Sequence, residues 1–239
     1  MPAPIIKLEN VWKIYQLGKV ELPVLRGISL EITPGVFVVI LGPSGSGKST
    51  LLNMIGCLDL PTKGSVFLAG RDISKMSEDE LAQVRGEKIG FIFQQFNLLP
   101  NLSALENVMM PMIFRGKPES EREKRAKYLL NSLELGDRIS HRPAELSGGE
   151  QQRIAIARSL INNPEIIVAD EPTGNLDSTT GRKIMEILID LHKNKGKTII
   201  VVTHDPTIAN YSNQIIRIKD GQLVSNHLAK EKVLWSNNK

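Results

Sequence analysis

Gly42-Pro43-Ser44-Gly45-Ser46-Gly47-Lys48-Ser49 follows the apolar run Val36 to Leu41 and precedes a helix-like segment from Thr50 onward. Strand, glycine-rich loop and helix, in that order, make a phosphate-binding loop. Glycines at 42, 45 and 47 free the backbone to turn its N–H groups onto phosphate oxygens. Lys48 is placed to reach the β- and γ-phosphates of a nucleotide. Ser49 offers Mg²⁺ a hydroxyl, and the helix beginning there points its positive end at the anion. A helix dipole contributes only about 0.3–1 kcal/mol at an exposed site, so convergent N–H groups, Lys48 and the metal must carry most of the binding.

The 239 residues, 41% of them hydrophobic, are enough for one large domain or two small ones with a proper core. No apolar run approaches the roughly 18 residues of a membrane span, and the opening Met-Pro-Ala-Pro-Ile-Ile-Lys lacks the layout of a secretion signal. The expected location is therefore cytoplasmic. Cys57, the single cysteine, excludes an internal disulfide and is expected to be a buried thiol. The net charge of +4 is dispersed among 26 acids, which reads as a solvated surface and not as a nucleic-acid-binding tract. Within Glu119 to Lys127, the pairs Glu121/Arg125 and Glu123/Lys127 suit an exposed helix face.

Ile28, Leu30 and Ile32 alternate with polar residues, and Ile6, Leu8 and Val11 do so less cleanly, as half-buried antiparallel strands would. Val36–Leu41, Ile166–Ala169 and Thr198–Val202 are continuous apolar runs, the pattern of parallel strands buried on both faces. Helical patterns separate them, which predicts an α/β core. Asp220-Gly221 between two short apolar runs predicts a late hairpin. From about Asn97 to Leu160 the signals are helical. Ser103…Glu106 and Ser120…Glu123 have capping-box spacing, and Ala126, Leu129, Leu130 and Leu133 make a stripe behind the second. Pro111 is expected to end or kink the first of these helices. Beyond Val224 the tail is polar apart from Val233-Leu234-Trp235, and two readings stand: disorder, or a partner contact through Trp235.

Ile166 to Ala169 ends in Asp170-Glu171, and the carboxyl ends of parallel strands are where open α/β sheets place ligands. Asp170 suits Mg²⁺ coordination, and Glu171 suits orienting and deprotonating a water that attacks the γ-phosphate. Leu146-Ser147-Gly148-Gly149-Glu150 precedes an amphipathic segment with Ile154, Ala157, Leu160 and Ile161 on one face. Ser147 and Glu150 form a capping box. Capping does not need two glycines, whereas a second anion site at a bare helix start does.

These three elements in this order strongly resemble the ATP-binding-cassette ATPases, from about Ile5 to Val224. The resemblance implies an α/β P-loop NTPase core with a mainly parallel sheet, an N-terminal antiparallel β-subdomain and a helical signature subdomain. The domain would run over 1–225 with a helical insertion at about 97–160, leaving 226–239 as a polar tail. It implies an ATPase with ATP and Mg²⁺, bound through Gly42, Pro43, Ser44, Gly45, Ser46, Gly47, Lys48, Ser49 and Thr50. In such enzymes two cassettes close head to tail over two ATP molecules, so Ser147, Gly148, Gly149 and Glu150 would act in trans in a homodimer. Gln94 matches the glutamine that contacts Mg²⁺ and the attacking water, His204 the histidine on the γ-phosphate, and Asp177 the loop linking the two sites. Tyr15 matches the aromatic that stacks on adenine, or is a core tyrosine. Metal ligands would be Ser49, Gln94 and Asp170. Glu150 stands where many members have Gln, and Asn175 where Ala or Ser is frequent.

Phe96-Asn97-Leu98-Leu99-Pro100, Leu105-Glu106-Asn107-Val108 and Gly56-Cys57-Leu58-Asp59 resemble the branch serving lipoprotein release, macrolide export and antimicrobial-peptide export. That implies a subunit peripheral on the inner face of the cell membrane. It would energise a separate integral-membrane permease whose coupling helix docks near Gln94 to Leu105. A cell-division regulator with a membrane partner is the alternative.

Overall fold

The structure is a computed structural model and describes residues 3–228, so the predicted contact through Trp235 lies outside the described residues. Two compact units emerge: residues 3–76 together with 198–228, and residues 77–197. In chain order the elements are β1 (Ile6–Leu17), β2 (Val20–Ile32), β3 (Phe37–Leu41), α1 (Lys48–Ile55), β4 (Lys63–Leu68) and β5 (Arg71–Asp72) in the first unit. The second unit holds α2 (Glu78–Lys88), β6 (Ile89–Ile92), α3 (Ala104–Phe114), α4 (Glu119–Ser132), α5 (Gly148–Leu160), β7 (Ile166–Asp170) and α6 (Ser178–Lys193). The chain then returns to the first unit through β8 (Thr198–Thr203), β9 (Gln214–Lys219) and β10 (Gln222–Leu228).

Alternation along β2 buries Ile28, Leu30 and Ile32, and β1 pairs antiparallel with both β2 and β4. The continuous apolar runs behave differently. β3 lies between β8 and β9, parallel to both, and both β3 and β8 are buried along their whole length. Strands covered on two faces have no polar side to show. In the second unit β6 and β7 run parallel. Cys57 is buried, as expected, and forms no disulfide.

Three local expectations give way to the structure, and for Pro111 one of two alternatives, ending the helix, is removed. α4 begins at Glu119 with Pro118 as its N-cap and no side-chain cap, so the box expected from Ser120 and Glu123 does not form. Proline presets the backbone, and Glu119 and Glu121 meet the positive helix end instead. Glu121 pairs with Lys117 and not with Arg125, which stacks on Tyr128, although Glu123 does pair with Lys127. α3 continues through Pro111 to Phe114. One missing amide is outweighed there by burial of Val108, Met109 and Met112. β10 runs on to Leu228, beyond the sequence pattern that stops at Val224, because residues 225–228 keep pairing with β9.

The predicted hairpin is present, with Asp220 at φ 51° and Gly221 at φ 74°, the left-handed pair that a two-residue turn requires. Its backbone also supports the phosphate loop. Gly221 N donates to Ser46 O at 3.0 Å, and Arg26 N donates to Gly221 O at 2.8 Å. A Cβ on Gly221 would stand 2.3 Å from Val24 O, whereas one on Gly70, also left-handed, would meet nothing. Gly221→Ala should therefore cost about 3 kcal/mol, left-handed strain plus overpacking, and weaken nucleotide binding. Gly70→Ala should cost about 1 kcal/mol and leave binding intact. Urea unfolding and a nucleotide titration check both.

Candidate active site

The predicted site residues fall into two groups, one inside each unit. Tyr15, residues 42–50 and His204 belong to the first; Gln94, residues 147–150, Asp170, Glu171 and Asp177 belong to the second.

In the first unit, α1 starts at Gly47 in a left-handed conformation (φ 97°), with no side-chain cap and no acid in its first turn. Helices α2, α3 and α5 each start with a serine whose hydroxyl accepts from the third amide, and Asp177 caps α6. At α1 the cap is withheld, leaving its amides for an outside anion. Lys48, almost fully buried, folds back so that Nζ donates to Gly42 O and Pro43 O, both at 2.8 Å. The three glycines have different reasons. Gly45 and Gly47 supply positive φ. Gly42 supplies room, since a Cβ there would lie 2.4 Å from Ile218 O. This cradle fits a polyphosphate. Parallel pairing of Leu41 with Thr203 makes Gly42 and His204 leave adjacent strands side by side, with His204 exposed. Asp205 then caps the short helix Pro206–Tyr211.

Tyr15 is half-buried on β1, not a core side chain. Its hydroxyl donates to Asp59 Oδ2 at 3.1 Å, and Lys13 Nζ stands 5.1 Å from its ring centroid. Burial, then the Asp59 carboxylate, pushes the phenol pKa up. Lys13 carries no sequence motif, and Asp59 enters the sequence reading only as the end of Gly56-Cys57-Leu58-Asp59, without a role in the site. Their signal was the two-residue spacing of Lys13 and Tyr15, which puts both on one strand face.

In the second unit, Ile92 pairs with Ala169. Continuing that register sets Gln94 opposite Glu171. Asp170 closes β7, and Glu171 takes φ 45°, a left-handed conformation costly for a residue with a Cβ. Gly174 N donates to Glu171 O at 3.0 Å, turning the chain sharply. A Cβ on Gly174 would lie 2.8 Å from Gln94 Nε2, and Asn175 Nδ2 donates to Gln94 O at 2.9 Å. Gln94, and not its neighbour Gln95, is thus the glutamine fastened to this turn. Phe96 and Asn97 are both left-handed, and their carbonyls accept from the Arg158 guanidinium on α5. Asn175 and Arg158 had no local sequence signal, because each acts on a backbone carbonyl more than 60 residues away.

The signature turn forms the expected box. Ser147 Oγ accepts from Glu150 N at 3.3 Å, and Glu150 Oε2 accepts from Ser147 N at 2.8 Å and from Ser147 Oγ at 2.7 Å. Arg138 Nε donates to the other carboxylate oxygen at 3.0 Å. The Ser147 hydroxyl, then its amide, then Arg138 hold the Glu150 pKa down at about 2. The two glycines have an intrachain reason as well. A Cβ on Gly149 would lie 2.6 Å from Thr180 Cγ2, and one on Gly148 would lie 3.3 Å from Leu176 Cδ2. Asp177 accepts from Thr179 N and Thr180 N at 3.0 Å each, and Thr180 is the main cause of its lowered pKa. Among the described residues no cluster of three or more His, Cys, Asp or Glu side chains could hold a metal. Mg²⁺ in phosphate-binding sites takes one or two protein ligands, waters and substrate phosphates, which needs no such cluster.

Because Glu150 has a lowered folded pKa, its contribution to stability is complete above about pH 4.5 and is lost as pH falls towards its folded value. Glu150→Gln keeps an acceptor but cannot titrate. The stability of the parent relative to this variant should be constant from pH 7 to 5.5 and decline by pH 3.5 in urea titrations; an unchanging gap would refute the charged cap.

Residues 25–174 match the model of the ABC transporter family. An uncharacterized ABC transporter ATP-binding protein of Thermotoga maritima is 56% identical over 219 residues, 92% of this chain and 93% of that one. The macrolide export ATP-binding/permease protein MacB of Brucella abortus is 52% identical over 223 residues, 93% of this chain but 34% of its own length. The chain thus spans about a third of the macrolide exporters it matches. Among solved structures, a dimeric ATP-binding cassette in a post-hydrolysis state with ADP and Pi matches with TM-score 0.88 and 49% identity, over 95% of this chain and 100% of that one. The chain belongs to the ABC transporter family, as an ATP-hydrolysing cassette with the P-loop NTPase fold.

Proposed function

We propose that this cassette energises a membrane permease of the macrolide-export and lipoprotein-release type, carried on a separate polypeptide. The observation that carries this reading is the 52% identity to the ATP-binding third of MacB. The Thermotoga maritima relative, aligned over 93% of its own length, is named an ATP-binding protein alone, which favours a permease on a separate polypeptide. No helix among the described residues is long and apolar enough to cross a membrane, and on this reading the cassette sits on the inner face of the cell membrane, docked through Gln94 to Leu105.

Two copies bind ATP head to tail; the dimeric solved cassette with ADP and Pi supports the pairing of two copies. The amides of α1 and Lys48 hold the triphosphate, and Tyr15 stacks on adenine. Ser147, Gly148 and Gly149 of one copy cap the γ-phosphate held by the other, with Asp177 linking the sites. Ser49, Asp170 and Gln94 hold Mg²⁺, which when bound supplies charge neutralisation at the phosphates. Glu171 accepts the proton of the attacking water, and His204 hydrogen-bonds the γ-phosphate. A general base contributes about 10²–10⁴-fold to rate.

Glu171→Gln should bind ATP with affinity near the parent's, hydrolyse it at least about 100-fold more slowly and accumulate as a dimer by size exclusion. Retained turnover would put the base elsewhere. Affinity capture of this variant with ATP from native membranes should recover an integral-membrane permease of the export type. Recovery of a division-site membrane protein in its place would overturn the export assignment.

A further inference from the structure

Lys13 and Tyr15, two apart on β1, share one strand face. The Lys13 ammonium lies 5.1 Å from the Tyr15 centroid, within cation–π range. It is itself fixed by Asp59 Oδ1 and by Leu60 O at 2.9 Å. Tyr15 donates to the other Asp59 oxygen at 3.1 Å. One carboxylate thus fixes both the ring's edge and the cation on its face. Leu58 N, next to Asp59, donates to Asn53 O on α1 at 2.9 Å, so the aromatic plate is tied through Asp59 to the helix whose amides face the phosphates.

We propose that Lys13 and Asp59 are positioning residues for the nucleotide's purine: together they lock the Tyr15 ring as a preset stacking plate at a fixed offset from the phosphate cradle. The ammonium covers one ring face and leaves the other for the base. This rests on the reading that Tyr15 stacks on adenine. A ring already held in place loses no rotamer freedom when the base arrives, which is where preorganisation gains affinity. Lys13 and Asp59 touch neither base nor phosphate and act only through Tyr15.

Calorimetric titration of ATP and of inorganic tripolyphosphate, which has the phosphates without the base, separates this role from a structural one. Tyr15→Ala should weaken ATP about tenfold. Lys13→Met, Asp59→Asn and Tyr15→Phe should each weaken it about threefold or more, while tripolyphosphate affinity stays within about twofold of the parent's. Unchanged tripolyphosphate binding also reports an intact fold. If Tyr15→Ala weakens ATP but Asp59→Asn and Lys13→Met do not, the brace is overturned and the stack survives. If Tyr15→Ala leaves ATP unaffected, the stack fails and the brace with it. Equal losses for ATP and tripolyphosphate would assign Asp59 to the cradle and overturn the proposal.

Discussion

A helix that begins without a cap is the constraint around which the first unit is organised. A capping side chain is worth about 0.5–2 kcal/mol, and α1 forgoes it so that its amides and the glycine loop before it can face an anion. A loop open in that way cannot hold its own shape. It is held from behind, by Lys48 on two loop carbonyls and by the Gly221 amide on Ser46 O. The approach of Ile218 O leaves space for nothing larger than glycine at position 42. The hairpin that looks peripheral in the sequence is therefore part of the binding apparatus.

The second unit shows the complementary arrangement. Four of its five α-helix starts are closed by Ser77, Ser103, Ser147 and Asp177, and Glu171, like Phe96, Asn97, Glu134 and Asn163, is left-handed. A left-handed conformation with a Cβ costs on the order of 1–3 kcal/mol. The fully buried start of β7 and the turn closed by Gly174 hold Glu171 there. Each unit departs from local preference at a position to which chemistry is assigned, the uncapped start of α1 in one and Glu171 in the other.

That contrast explains what could be seen in the sequence. The parallel strands, the phosphate loop, the Asp170-Glu171 strand end, the Ser147 box and the Asp220-Gly221 turn are short-range patterns, each produced by residues within a few positions of one another. Misreadings arose where two local rules competed. At Ser120 a preset proline took the cap two residues earlier, and at Pro111 burial carried the helix past a breaker. Asn175, Arg158 and Asp59 were invisible as actors because their partners are brought to them only by the folded chain. The crowding behind Gly148 and Gly149 was hidden for the same reason, since Leu176 and Thr180 arrive from another element.

Arg158 gives the segment around Gln94 a mechanical character. Two consecutive left-handed residues would ordinarily make a pliant kink, but the guanidinium grips both of their carbonyls while Asn175 grips that of Gln94. Little backlash is left between α5, this kink and the turn after Glu171. Force applied at residues 94–97 is transmitted to those neighbours as through a stiff linkage and is not dissipated in local slack.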